Sequence, residues 1–306
     1  MSVFVAGRIN YDTILFVKGF FQRGRKFVGN LVTEGVGGTG ANIAISMARA
    51  GARNVKLFGA VGKDLENTVK TYLQSEGVGI EHVIVFDGET GRAYIIIDDE
   101  GESTIITIPG VNNMLSVSHI PKDILDSSAI VVANIPRDVA TAIVEKFKGQ
   151  LMFMDPGNSW NPLELVSKTQ CECFILPNEY EFSQYLNNSK SDPHAYKNCV
   201  IVVKKGEKGA TLYDYRRGRA LDVGAMPLKK LGLKVYSTAG CGDIFTGVFA
   251  TLYMESRNIE KAMLYASIAA GVKATRILSH DVPKRSELET LIDKYRSMIS
   301  INEYSL

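Results

Sequence analysis

The chain has 306 residues, 45% hydrophobic and 22% charged, with a formal net charge of +2. That length allows one large domain or two ordinary ones at ~100–200 residues each, with a substantial core. The near-neutral balance excludes a strong overall field for nucleic acid or an anionic membrane, and no segment approaches the ~18 apolar residues of a membrane span.

The predicted elements alternate from the first residues. SVFVAG (2–7) reads as a buried strand with β-branched residues and a glycine stop. It begins at once, without the basic start and long apolar run of a signal peptide. ANIAISMARAGA (41–52) reads as a helix, NVKLFGAVG (54–62) as a strand and LENTVKTYLQSEG (65–77) as a helix closed by glycine. Then come AIVVAN (129–134), DVATAIVEKFKG (138–149), LMFMDP (151–156), CFILPN (173–178) and CVIVVKKG (199–206). Two strongly apolar helices follow, CGDIFTGVFATLYMES (241–256) and IEKAMLYASIAAGVKATRIL (259–278). Wholly apolar strands alternating with helices predict an α/β fold, with a mainly parallel central sheet and helices on both faces.

Two stretches break the alternation. Residues 14–38 have β character without a following helix. RAYIIIDDEGESTIITIPG (92–110) reads as a hairpin turning at DDEGES. Both leave and rejoin the α/β pattern, as a small β-sheet inserted as a lid would, since lids close over sites and exclude water. Surface decoration is the plain alternative. The expected division is a catalytic domain of 1–13, 37–91 and 108–306, and a lid of 14–36 and 92–107.

The four cysteines are Cys171, Cys173, Cys199 and Cys241. The first two are closer than a zinc knuckle needs, and no histidines cluster near them. No disulfide framework is read from them, which fits a reducing cytoplasm.

Four motifs carry chemistry. In EGVGGTGANIA (34–44), Gly37, Gly38 and Gly40 allow close backbone approach to a ligand, and Asn42 stands at a helix start. A strand-to-helix turn with an Asn cap explains the same residues. In GRINYDTIL (7–15), Asn10 and Asp12 follow the first strand, where a carboxylate and an amide suit several hydroxyls; an Asx turn is the alternative. In STAGCGDIFTGV (237–248), the backbone N–H groups of Gly240, Cys241 and Gly242 are expected to be free at a helix N-terminus, forming an anion hole. Asp243 in that first turn either meets the helix dipole or accepts a proton from a substrate hydroxyl. Finally, Asn178 and Glu181 follow one strand, and Lys204, Gly206 and Gly209 another. They suit nucleotide phosphates or are solvated turns. No P-loop or dinucleotide fingerprint is present, which disfavours a dehydrogenase.

In this order the motifs resemble those of the ribokinase-like carbohydrate kinases, the phosphofructokinase-B family, over almost the full length. GRINYDTIL is similar to the first strand with its substrate-binding Asn and Asp. GGTGAN resembles the first signature, and IPGVNN (108–113) the return from the lid. NEYE (178–181) is similar to N-x-x-E, KGEKGATLY to the nucleotide-binding strand-turn, and STAGCGDIFTGVF to the second signature, D-T-x-G-A-G-D.

The resemblance implies transfer of the ATP γ-phosphate to a hydroxymethyl group of a ribose-like sugar. Asp243 would be the base, and Gly240, Cys241 and Gly242 the anion hole. Asn10, Asp12, Gly38 and Asn42 would hold the sugar. Asn178, Lys204, Gly206 and Gly209 would hold the nucleotide, with Glu181 associated with magnesium and phosphate. It also implies a homodimer through the lid.

Ser237 stands where the signature starts with Asp, a residue that in ribokinases helps hold a monovalent cation, so the resemblance does not carry that cation over. Cys241 replaces Ala, Ser267 lies where some relatives carry an adenine-contacting Asn, and TRILSHDVP lacks a late glycine. A nucleoside kinase, with Phe20 or Phe21 stacking on a base, and a catalytically silent sugar-binding homologue are the competing readings.

Overall fold

Val3 and Val5 turn to one side of the first strand and Phe4 and Ala6 to the other, and all four are buried. A strand without a wet face needs cover on both sides, and this requirement organises the molecule. The structure, a computed structural model, describes residues 2–19, 24, 26–188 and 199–306. Phe20 and Phe21 lie outside the described residues.

Chain order gives β1 (Val3–Ala6), β2 (Asn10–Val17), β3 (Gly29–Gly37), α1 (Thr39–Arg49), β4 (Val55–Gly62), α2 (Glu66–Ser75), β5 (Gly79–Phe86), β6 (Gly91–Ile97) and β7 (Ser103–Ile108). There follow α3 (Lys122–Leu125), β8 (Ala129–Val132), α4 (Arg137–Lys146), β9 (Leu151–Met154), β10 (Glu172–Ile175), α5 (Glu179–Asn188) and β11 (Cys199–Lys204). The last are β12 (Ala210–Asp214), β13 (Arg219–Val223), α6 (Cys241–Ser256), α7 (Ile259–Ala274), α8 (Arg285–Tyr295) and β14 (Ile301–Ser305).

The large sheet has the order β14-β13-β12-β11-β10-β9-β8-β1-β4-β5. Pairing is parallel from β5 to β11, and β12, β13 and β14 extend it antiparallel. The chain lays β4 and β5 on one side of β1, then β8 to β11 on the other. The order therefore reverses at β1, and ligands of open α/β sheets bind outside the carboxyl ends of strands at such a point.

One face is covered by α1, α6, α7 and α8, the other by α3 and α4. Helix α6 is buried without interruption from Ile244 to Tyr253, as expected of a helix apolar on every side. The exit of β1 nearly touches the start of α1: a Cβ on Gly40 would lie 2.5 Å from the Gly7 carbonyl carbon.

The small sheet has the order β3-β2-β6-β7. Its hairpin turns at the expected DDEGES, where the Asp98 carboxylate accepts the N–H groups of Glu100 and Glu102. Ile14, Ala93, Ile95 and Ile97 form its underside and pack on Ala239, in the loop before α6. The sheet starts at Asn10, so the expected boundary at residue 14 falls inside β2.

One expectation is corrected. Cys173 and Cys199, 26 residues apart, are register partners on parallel β10 and β11, and they form a disulfide. Cysteine spacing alone does not show this, because the pairing depends on strand order. Cys171 and Cys241 are free.

Candidate active site

Three turns converge beyond the carboxyl end of β1. The first leads through Arg8 into β2, which carries Asn10 and Asp12. The second is the start of α1, where Gly38 is the N-cap with φ +89°, a conformation that favours glycine. A Cβ there would lie 2.7 Å from the Arg8 carbonyl oxygen and the Asn10 nitrogen. The third is the loop into α6, whose N-cap Gly240 is also left-handed, at φ +80°.

The helix cap resolves the choice at Asn42. Gly38 caps α1, and Asn42 lies inside the first turn with its amide donating to Asp243 Oδ2 at 2.8 Å. Asn42 Oδ1 is buried and, among the described residues, has no hydrogen-bond partner. Asn10 and Asp12 form no Asx turn, since both belong to β2. Asn10 Oδ1 accepts from Asn112 at 3.1 Å. Asn112 in turn is tied to both backbone groups of Ile9 and to the Pro109 carbonyl, so the loop returning from the small sheet fixes the acceptor side. Asp12 Oδ2 accepts from Ser279 at 3.2 Å, and Oδ1 is orphaned. Burial pushes the Asp12 carboxyl up to about 7, against the Ser279 hydrogen bond.

Asn10, Asp12, Gly38, Asn42, Gly240 and Asp243 line one cavity of about 140 Å³, with Ala93, Ile95 and Ile105 of the small sheet among its walls. A second cleft of about 500 Å³ is lined by Asp155, Asn178, Glu181, Lys204, Gly242 and Asp243. Arg8, Thr39, Asn134 and Asp243 belong to both. Asp243 therefore stands at the junction. Burial pushes its carboxyl up to about 7, helped by Asp155 and Asp12 and opposed by Asn42 and Lys204.

The expected three free N–H groups need a correction. The N–H of Cys241 donates to the Thr238 carbonyl at 3.2 Å, closing a turn. Among the described residues those of Gly240 and Gly242 have no acceptor, and neither has that of Asp243. An N-terminal α6 thus presents unpaired donors beside its own carboxylate.

In the second cleft, Lys204 Nζ pairs with Asp155 Oδ2 at 2.7 Å, and the Thr246 hydroxyl donates to the same oxygen at 2.5 Å. Asn178 and Glu181 make a reciprocal cap on α5: each side chain accepts the other's backbone N–H at 2.8 Å. Among the described residues only Oε2 of Glu181 is used, and burial raises this carboxyl above its ordinary value. Gly206 and Gly209 form the β11–β12 turn and line neither cavity; Ser267 is buried with its hydroxyl on the Gly224 carbonyl. Arg8, Asn112, Asp155 and Ser279 are site residues that the motifs did not single out. Arg8 followed a glycine in a quoted motif, and Asp155 ended a predicted strand; only the long-range packing shows where they point.

A carboxylate beside free backbone donors, between a small cavity and a cleft with a lysine, is an arrangement suited to phosphoryl transfer to an alcohol. The model for the pfkB family carbohydrate kinases matches residues 1–284, and the chain belongs to that family. It is 28% identical to a ribokinase of Lactococcus lactis over 99% of each chain. It is 25% identical to a cytidine kinase of Thermococcus kodakarensis over 86% of this chain and 92% of that one. Among solved structures, a Cryptococcus neoformans ribokinase in complex with ADP superimposes with a TM-score of 0.81 at 25% identity, covering 94% of this chain and 99% of the other. The chain is therefore a phosphotransferase of the pfkB carbohydrate kinase family.

Proposed function

We propose that the chain transfers the γ-phosphate of ATP to the primary hydroxyl of ribose or a closely similar sugar. The observation that carries this is Asp243 at the junction of the two cavities. In this reading the Asp243 carboxylate takes the proton of the acceptor hydroxyl as the oxygen–phosphorus bond forms and the bond to ADP breaks. The N–H groups of Gly240 and Gly242 face the charge on the transferred group. Arg8 supports them, since it lines both cavities and its Nε is buried without a partner. Asn10, Asp12 and Asn42 hold the sugar hydroxyls, and Lys204 the nucleotide phosphates.

Magnesium fits the second cleft. Among the described residues, Glu181 and Asp155 each keep an oxygen without a hydrogen bond, and magnesium is usually bound by one or two carboxylates together with substrate phosphates. When bound, it would neutralise phosphate charge. The small apolar-capped acceptor cavity favours a sugar over a nucleoside, whose base needs further room.

The small sheet would be the lid. Its exposed apolar residues Leu31, Ile106 and Ile108, with Val28 beside β3, support a homodimer formed through it. No described helix is long and apolar enough to cross a membrane. Use of ATP favours the cytoplasm.

A coupled ADP-release assay with ribose, deoxyribose, sugar phosphates, cytidine and adenosine tests this reading. Ribose or deoxyribose should give the highest kcat/KM; turnover of a nucleoside without turnover of either sugar would refute it.

A further inference from the structure

Lys273 is fully buried in the last turn of α7, and among the described residues it forms no ion pair with a carboxylate. An isolated buried ammonium is costly unless its donors are satisfied. Here Nζ donates to the Ser237 carbonyl at 2.8 Å and to the Arg276 carbonyl at 3.4 Å. The C-terminal end of α7 adds the negative end of a helix dipole. Burial lowers the lysine pKa, while Cys241, Asp281 and Asp243 favour its charged form.

The two carbonyls belong to the two loops that build the site. Ser237 opens the loop that reaches Gly240 and Gly242. Arg276 opens the loop that reaches Ser279, whose hydroxyl holds Asp12. The Ser279 carbonyl also lies against Gly240, so closely that a Cβ on Gly240 would clash with it. One ammonium therefore ties the anion-hole loop to the acceptor loop.

In ribokinases the residue at the position of Ser237 helps hold a monovalent cation, and the residues present here do not fit one. Ser237 has no carboxylate, and its hydroxyl accepts the Ala239 N–H at 3.3 Å. The Ser237 and Arg276 carbonyls are occupied by a charge that would repel a second cation. We propose that the Lys273 ammonium is a covalently tethered substitute for the monovalent cation, positioning the Ser237–Gly242 loop so that the kinase needs no potassium.

The test compares chloride salts of potassium, sodium and choline at one ionic strength. In wild-type protein, kcat with ribose and ATP, and the melting midpoint without substrate, should be the same in all three. Lys273→Ala opens the space between the carbonyls; its kcat should fall about tenfold or more, with KM for ribose changed less, because a displaced anion hole acts on the transition state. Potassium or ammonium, but not choline, should then recover part of the lost kcat and raise the melting midpoint. A wild-type kcat or midpoint that rises in potassium over choline would overturn the proposal. So would a Lys273→Ala variant that folds and keeps full kcat, or one whose loss no small cation repairs. If that variant fails to fold, the wild-type salt series decides alone. The turnover arm rests on the proposed acceptor, whereas the melting arm needs none, so a wrong acceptor and a wrong cation assignment are distinguishable.

Discussion

The two halves of the active site satisfy their polar groups differently. On the donor side the protein has already paired them: Lys204 with Asp155 and Thr246, and Asn178 with Glu181. On the acceptor side, Asp12 Oδ1 and Asn42 Oδ1 are buried and orphaned. Such atoms are costly to bury and gain most when a ligand hydroxyl supplies the missing partner. The acceptor cavity thus holds buried unpaired oxygens, whereas the donor cleft has most of its polar groups paired within the protein. In the proposed reading, discrimination between acceptors would belong to the first and charge matching to the second.

The largest effect tests the junction between them. Asp243→Asn keeps the shape and the side-chain size but removes the base. It should fold and lose at least ~10²-fold in kcat, the scale of general-base catalysis. A variant with near-normal turnover would remove Asp243 from the mechanism. Next, the two sides should separate kinetically. Asp12→Asn should raise KM for the acceptor by roughly 10–100-fold, since a hydrogen bond to a charged group is worth about 1.5–3 kcal/mol, and leave KM for ATP alone. Lys204→Met should do the reverse and also lower Tm, because it leaves the Asp155 carboxylate buried without its cation. If both variants raise the same KM, the comparison fails.

The smallest effect is on stability. Asp12 and Asp243 hold their protons up to about pH 7 in the folded chain, against an ordinary carboxyl value near 3.8. The folded protein thus binds more protons across that window, and both groups make it less stable as pH rises from ~4 through ~7. At pH 8 Asp12→Asn or Asp243→Asn should melt a few degrees above wild type, at ~2–4 °C per kcal/mol for larger domains. At pH 4 the difference should vanish. Thermal melts across this range check it; parallel curves would show that these carboxyls are not held in their protonated form. The same proton should appear in kcat/KM as a fall below about pH 7, although two coupled carboxyls share the observed value.

The parallel strands were legible because both of their faces are buried, which leaves near-continuous apolar runs such as Val3–Ala6 and Leu151–Met154. The edge strand β14, INEYS, is mostly exposed and polar, and has no such signal. The acceptor residues were legible as types at strand and helix ends. Their partners were not. The bond from Asn42 to Asp243 spans 201 residues and that from Ser279 to Asp12 spans 267, and no local pattern encodes either. Cys241 was misread because its N–H was assigned from helix position alone, whereas the turn to Thr238 uses it.

Those long spans also bear on the order of synthesis. Asn10, Asp12, Gly38 and Asn42 emerge from the ribosome early, Asp243 only after three-quarters of the chain, and Ser279 and Lys273 later still. Domains generally fold as units during and after synthesis. If these groups act as proposed, a nascent fragment would carry most of the acceptor-binding groups without the base or the loop that holds Asp12. On that reading, activity would await the docking of the last quarter of the chain, and an interrupted translation product would be inert.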